Sequence, residues 1–96
     1  MKRVYKYELP VDGGVITIYE KVIQWLEIHE QGRVPHIWAI VDDEAPAEFR
    51  EIVAWGTGWP IFDEAGFEEY LGTCEDGLGY VWHYFTRLTE NKNARS

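Results

Sequence analysis

Apolar and polar residues alternate along most of the chain with a period of two, the spacing that turns one face of a β-strand toward a core. Over residues 3–9, Tyr5, Tyr7 and Leu9 share one side while Lys6 and Glu8 take the other. Pro10 and Asp12-Gly13-Gly14 break that run as a turn. The β-branched and aromatic stretch 15–20 then reads as the second strand of a hairpin. Residues 22–29 are ambiguous by period alone, because Val22, Ile23, Trp25 and Leu26 also fit a helical stripe. The run is short, stops at Gln31-Gly32 and is followed at once by another β-like run, so a strand is expected. Residues 34–42 are the most apolar in the chain. Ile37, Ala39 and Val41 fall on one side and Trp38 and Ile40 on the other, which predicts a central strand buried on both faces. Asp42 to Pro46 signals a turn.

The pattern resumes at 48–55, where Phe49, Val53 and Trp55 share a face, and breaks at Gly56-Thr57-Gly58-Trp59-Pro60. Residues 61–69 read as a loop or one short helical turn. Residues 70–74 form a short strand in which Gly72 marks a bulge or the close approach of another backbone. Glu75-Asp76-Gly77 turns the chain into a final aromatic strand at 78–86. The sum is a mostly β fold of about seven short antiparallel strands with little helix, a small barrel or a sandwich. Closure into a barrel would hide the edge strands, but the pattern does not separate the two. Residues 1–88 are expected to be a single β domain and the polar 89–96 a disordered C-terminal tail.

Composition sharpens this picture. Five Trp, six Tyr and four Phe occur in 96 residues. So short a chain buries only about 60–70% of its unfolded surface, and each aromatic side chain carries about 150–250 Å². The load exceeds what one small core hides, which predicts self-association. The net charge of −8 argues against binding a nucleic-acid backbone, which needs Lys and Arg to neutralise phosphates. An acidic surface favours solubility and suits a basic partner. Cys74 is the lone cysteine, so no internal disulfide forms and a reducing cytoplasm is expected. No run reaches the ~18–20 apolar residues of a membrane span, and no apolar signal core follows Met1-Lys2-Arg3.

Candidate chemistry is sparse. His29, His36 and His83 lack a ligand motif, although His29 and His36 flank the Gln31-Gly32 turn and hairpin pairing would bring them close. The acids at Asp42-Asp43-Glu44 and Asp63-Glu64 lack calcium-loop spacing and read as solvated turns. Ser96 is the lone serine, and Cys74 stands beside Glu75 and Asp76, which oppose thiolate formation. No catalytic residue, metal ligand or cofactor is therefore expected. The Gly56-Thr57-Gly58 loop with Trp59 is the leading candidate site, since successive backbone N–H groups between glycines make anion-binding nests. The alternative is a turn that needs positive φ. Trp25, Trp38 and Trp55 fall at similar depth on successive strands, so neighbouring strands would stack them as a cross-strand cluster. Such a cluster is core if inward and a contact patch, rimmed by Trp59, if outward.

Val4-Tyr5-Lys6-Tyr7-Glu8-Leu9, Ile37-Trp38-Ala39-Ile40-Val41-Asp42, Gly56-Thr57-Gly58, Tyr70-Leu71-Gly72-Thr73 and Val81-Trp82-His83 occur in that order. The set resembles a family of small bacteriophage and prophage accessory proteins, over roughly residues 3 to 85. In that family a histidine usually follows the glycine loop. Trp59-Pro60 stands there instead, so no role of that histidine is carried over, and the family supplies no catalytic residues. The resemblance implies a protein made in the cytoplasm of an infected or lysogenic bacterium.

Taken together, a non-catalytic binder is expected, acting on a host or phage protein through an aromatic patch, as an anti-defence inhibitor for instance. The candidate contact residues are Gly56, Thr57, Gly58, Trp59, Trp55, Trp38 and Trp25. The alternatives are sequestration of a small anionic signalling nucleotide at the glycine loop, for which basic residues are few, and an acidic mimic of DNA.

Overall fold

A computed structural model of the chain describes residues 1–88; the expected C-terminal tail, 89–96, lies outside the described residues. Seven strands appear: β1 (Lys2–Glu8), β2 (Val15–Ile18), β3 (Lys21–Gln31), β4 (Val34–Asp42), β5 (Arg50–Gly56), β6 (Glu69–Glu75) and β7 (Val81–Leu88). A 3-10 turn at Asp63–Ala65 is the helical turn expected in the 61–69 segment, and Gly66 ends it in the left-handed conformation. The strands form two antiparallel sheets, β1-β4-β3 and β2-β5-β7-β6. They do not close on each other, so the architecture is a sandwich and not a barrel.

β1 and β2 are not a hairpin. β1 pairs with β4, whereas β2 pairs with β5 in the opposite sheet. The Pro10–Gly14 break carries the chain from one layer to the other, and the Tyr84 hydroxyl donates to the Pro10 carbonyl at 2.8 Å to hold that crossing. Sequence neighbours can part in this way because alternation fixes which face of a strand is buried and not which strand lies beside it.

Between the layers sit Leu9 and Ile37 from the first sheet with Ile18, Ile52, Ala54, Trp82 and Tyr84 from the second. β4 is central in its sheet, as its apolar run predicts. Pro35, Ile37, Ala39 and Val41 are buried on its inner side. Its other side, with His36, Trp38 and Ile40, is only half-buried, so this strand is not enclosed on both faces.

The helical look of residues 22–28 has a β explanation. Register shifts between Val22 and Gln24 and between Trp25 and Ile28 leave Val22, Trp25 and Ile28 opposite the inward residues Val41, Ala39 and Ile37. Extra residues make the inward positions recur every third residue instead of every second. Gly72 marks a bulge, as expected, and the close approach there is by a side chain and not by another backbone. The register slips between Tyr70 and Gly72, and a Cβ there would come 3.0 Å from Ile28 Cδ1 of the facing sheet.

β5 is the more deeply covered strand, with the consecutive residues Ile52, Val53 and Ala54 all buried. Ile52 and Ala54 point inward, while on the outward side Val53 is buried and Trp55 half-buried. Phe49, expected on that outward face, lies just before the strand, exposed and edge-on to Tyr19 at 5.1 Å. Aromatic packing on the outer face supplies the cover: Phe67 stacks on Phe85 at 4.6 Å and meets Trp55 edge-on at 5.2 Å.

Candidate recognition site

The Gly56–Trp59 turn folds the chain back at the end of β5. The Trp59 amide donates to the Gly56 carbonyl at 3.2 Å, and Gly58 takes φ +85°, a conformation that costs a glycine little. The turn lays the Trp59 indole over Gly56, where a Cβ would fall 2.6 Å from Trp59 Nε1, and beside Gly13 of the layer crossing. Trp59 there meets Trp55 at 5.4 Å and Trp82 at 5.6 Å, both nearly edge-on. The Trp55 indole donates to the Pro60 carbonyl at 3.3 Å. Both glycines are thus used by the turn and by the ring packed on it.

The Thr57 hydroxyl is engaged by a neighbouring side chain. Thr57 Oγ1 bonds His83 Nε2 at 2.7 Å, His83 Nδ1 bonds Thr73 Oγ1 at 3.0 Å, and Thr73 Oγ1 bonds the Tyr70 hydroxyl at 2.5 Å. The register places this row, since Trp55 pairs with His83 and His83 with Thr73 across β5, β7 and β6. The motif residues Thr57, Tyr70, Thr73 and His83 therefore converge in one hydrogen-bonded chain. A hydroxyl on an imidazole is the first contact of a nucleophile–base pair. Here the third partner is a neutral hydroxyl, where such pairs use a carboxylate to steady the imidazolium. The ring links the Gly56 turn to β6.

Next to Trp59 the β6–β7 turn is built around Asp76. Its Oδ1 accepts the Leu78 and Tyr80 amides at 2.8 and 3.0 Å, and its Oδ2 accepts the Trp82 indole N–H at 2.8 Å. The Trp82 bond, helped by those amides, holds the Asp76 carboxyl below the usual carboxylate range. The result is a cavity of about 510 Å³ lined by Val11, Asp12, Trp59, Leu78 and Tyr80, with Asp76 and Trp82 beneath. Trp82 is only 7% exposed, but Trp59 is 39%, Tyr80 61% and Leu78 81% exposed. A second depression of about 530 Å³ adjoins it through Val11, Asp76 and Leu78 and runs to Pro35 and Arg33. Arg33 holds φ +70° in the β3–β4 turn and donates to the Gly77 carbonyl at 3.3 Å.

The other expected contact tryptophans lie elsewhere. Trp25 and Trp38 belong to the first sheet and point to opposite faces, since Trp25 pairs with Ala39 beside Trp38. Trp25 packs against the core, and Trp38 lies outside it under His29, stacked at 4.6 Å. Trp55 is in the second sheet, so the cross-strand cluster of Trp25, Trp38 and Trp55 does not form. Trp82 and Tyr80 take its place beside Trp59. Their sequence signal was the Asp76-x-x-x-Tyr80-x-Trp82 spacing, which one carboxylate bridges.

His29 and His36 do face each other in register. Each ring Nδ1 contacts a backbone carbonyl, of Glu30 and of Val34, and among the described residues no group of three ligating side chains surrounds a metal position. Asp43 pairs with Arg3, whose guanidinium lowers its carboxyl below the usual range. Burial, with Glu30, Glu75 and Asp76 near it, pushes the Cys74 thiol up. A further depression, of about 550 Å³, lies at the opposite end of the second sheet between Trp25 and Thr86. Its cation Arg50 is already paired with Glu48 and Glu68. No helix among the described residues is long and apolar enough to cross a membrane.

Residues 1–95 match a family model described as a domain of unknown function (DUF7352). The chain belongs to that family. No curated protein and no solved structure matches the chain.

Proposed function

We propose that the chain is a non-catalytic binding protein that docks a partner protein on the groove at the Trp59 end of the sandwich. The observation that carries this reading is the exposure of Leu78, Tyr80 and Trp59 around the Trp82 floor. Contiguous apolar surface of that kind marks interaction sites, and Trp and Tyr supply most binding hot spots. Its acids, Asp12 and Asp76, and the net charge of −8 favour a basic partner. The resemblance to phage and prophage proteins gives a context, in which the partner is a host factor that the chain inhibits. A small anionic nucleotide draws less support, because in this groove it would meet Asp12 and Asp76 and no lining Lys or Arg.

The test is a photo-crosslinking amino acid placed at Leu78 and, as control, at the exposed Glu64, in cells making the protein. A discrete adduct with a heterologous protein is expected at 78 and not at 64, reduced at least about fivefold by Trp59→Ala. No adduct at 78, or equal adducts at both positions, overturns the reading. An adduct of two copies of this chain would reassign the groove to the self-association that the aromatic load predicts.

A further inference from the structure

The walls of the Trp59 groove have a specific chemistry. Trp59 and Trp82 stand 5.6 Å apart with their planes at 73°, and the Tyr80 ring is 6.4 Å from Trp82. Three π-systems thus meet at one corner, and the exposed Trp59 and Tyr80 rings carry the negative faces that attract a positive charge. The Trp82 N–H is engaged by the Asp76 carboxylate, which fixes this buried indole as the floor of the corner and leaves the more exposed Trp59 and Tyr80 rings to meet a ligand. Asp76 accepts three hydrogen bonds of the roughly four that a carboxylate holds, and its charge stays beside the corner. Asp12, held at φ +57° in the layer crossing, brings a second carboxylate to the same wall. None of the side chains lining the cavity is basic. Arg33 stands in the adjoining depression, with its guanidinium turned to the Gly77 carbonyl.

We infer that this corner seats an organic cation, an ammonium or guanidinium group, presented as a Lys or Arg side chain of the docked partner. The inference rests on the docking reading and names what that surface selects. Charge complementarity supports it: two carboxylates and three aromatic rings line a space that no cation of the lining fills, in a chain of net charge −8. Leu78 and Val11 at the rim then take the apolar stem or flanking residues, as long cationic side chains bury their methylenes along apolar surface.

The probes are Nα-acetyl-arginine methylamide and Nα-acetyl-lysine methylamide, with the citrulline and Nε-acetyl-lysine analogues as neutral isosteres. The readout is the set of five Trp indole N–H resonances of the 15N-labelled chain. Both cations are expected to shift Trp59 and Trp82 saturably in the range of tens of millimolar, about what one cation–π contact with a carboxylate gives, while Trp25 and Trp38 stay still. Asp12→Asn should weaken binding about threefold to tenfold, and Trp59→Leu should abolish it with Trp25 and Trp38 signals unchanged as the sign of an intact fold. Neutral isosteres that shift the same resonances equally, or no saturable response to either cation, overturn the inference. A hexapeptide carrying one Arg between leucines should bind at least about tenfold tighter than the free derivative. Tetramethylammonium binding more tightly than that peptide would instead assign the corner to a small free cation and overturn the partner-side-chain source. If the Leu78 adduct forms while the cations do nothing, the cation inference fails and docking stands. A cation response without any adduct has the reverse meaning.

Discussion

The indole of Trp59 rests on the bare backbone of Gly56. A methyl group at position 56 would lie 2.6 Å from Trp59 Nε1 and 2.8 Å from Cδ2, closer than real contacts allow, and the obstruction is a rigid ring that Trp55 and Trp82 brace from two sides. Gly56→Ala is therefore expected to destabilise the fold by about 1–3 kcal/mol and to displace Trp59. Urea denaturation gives the first, and loss of near-ultraviolet circular dichroism from the coupled indoles gives the second.

Gly72 and Ile28 make the corresponding contact between the two sheets. Gly72 has φ +153° and its missing Cβ faces Ile28 Cδ1. Gly72→Ala should cost about 1–3 kcal/mol. Ile28→Val removes the obstructing methyl, so Gly72→Ala should cost less in that background than in the parent chain. A double-mutant cycle by chemical denaturation reads the difference, which the backbone strain at Gly72 alone would leave at zero.

His83 has a hydroxyl partner on each ring nitrogen. Thr57→Val and Thr73→Val are each expected to cost about 0.5–1.5 kcal/mol. In a chain carrying His83→Phe, Thr57→Val should become nearly neutral, whereas Thr73→Val keeps the cost of its bond to the Tyr70 hydroxyl. An equal cost of Thr57→Val with and without His83 would show that this threonine acts through packing and not through the imidazole.

Asp76 links acidity to stability. Its carboxyl is held below the ordinary range, chiefly by the Trp82 indole N–H, so the native state binds its proton less readily than the unfolded chain. The stabilisation is present above the unfolded value, about 3.9, and is lost as pH falls through the lower native value. Asp76→Asn should be less stable than the parent at pH 7 and show a smaller decline in stability below pH 4. Unfolding curves between pH 7 and pH 2 check both statements.

The strands were legible because they are local. Tyr5-x-Tyr7 and Ile37-x-Ala39-x-Val41 alternate, and both lie where expected with those residues inward. What alternation leaves open is the partner, which is why β1 and β2 read as a hairpin while they belong to different sheets. β3 was ambiguous for a different reason, since its register shifts convert a two-residue spacing into three. The glycine loop was legible as a special turn, but its purpose was not. Thr57 meets His83, 26 positions away, and Trp59 meets Trp82, 23 positions away, through pairing that no local pattern encodes. Trp25, Trp38 and Trp55 misled because similar depth in successive strands implies neighbours only when those strands share a sheet and a face.

Recognition is placed at the Trp59 end and not around Trp38, which is half-buried under His29 on the outer side of the first sheet. The most direct measurement titrates the protein captured at Leu78 against the parent chain, Trp59→Ala and Trp38→Ala by calorimetry. Loss of at least about thirtyfold in affinity for Trp59→Ala, the size of a hot-spot truncation, with a change under about twofold for Trp38→Ala, is the predicted result. The opposite ranking, or equal affinities for all three chains, would contradict it.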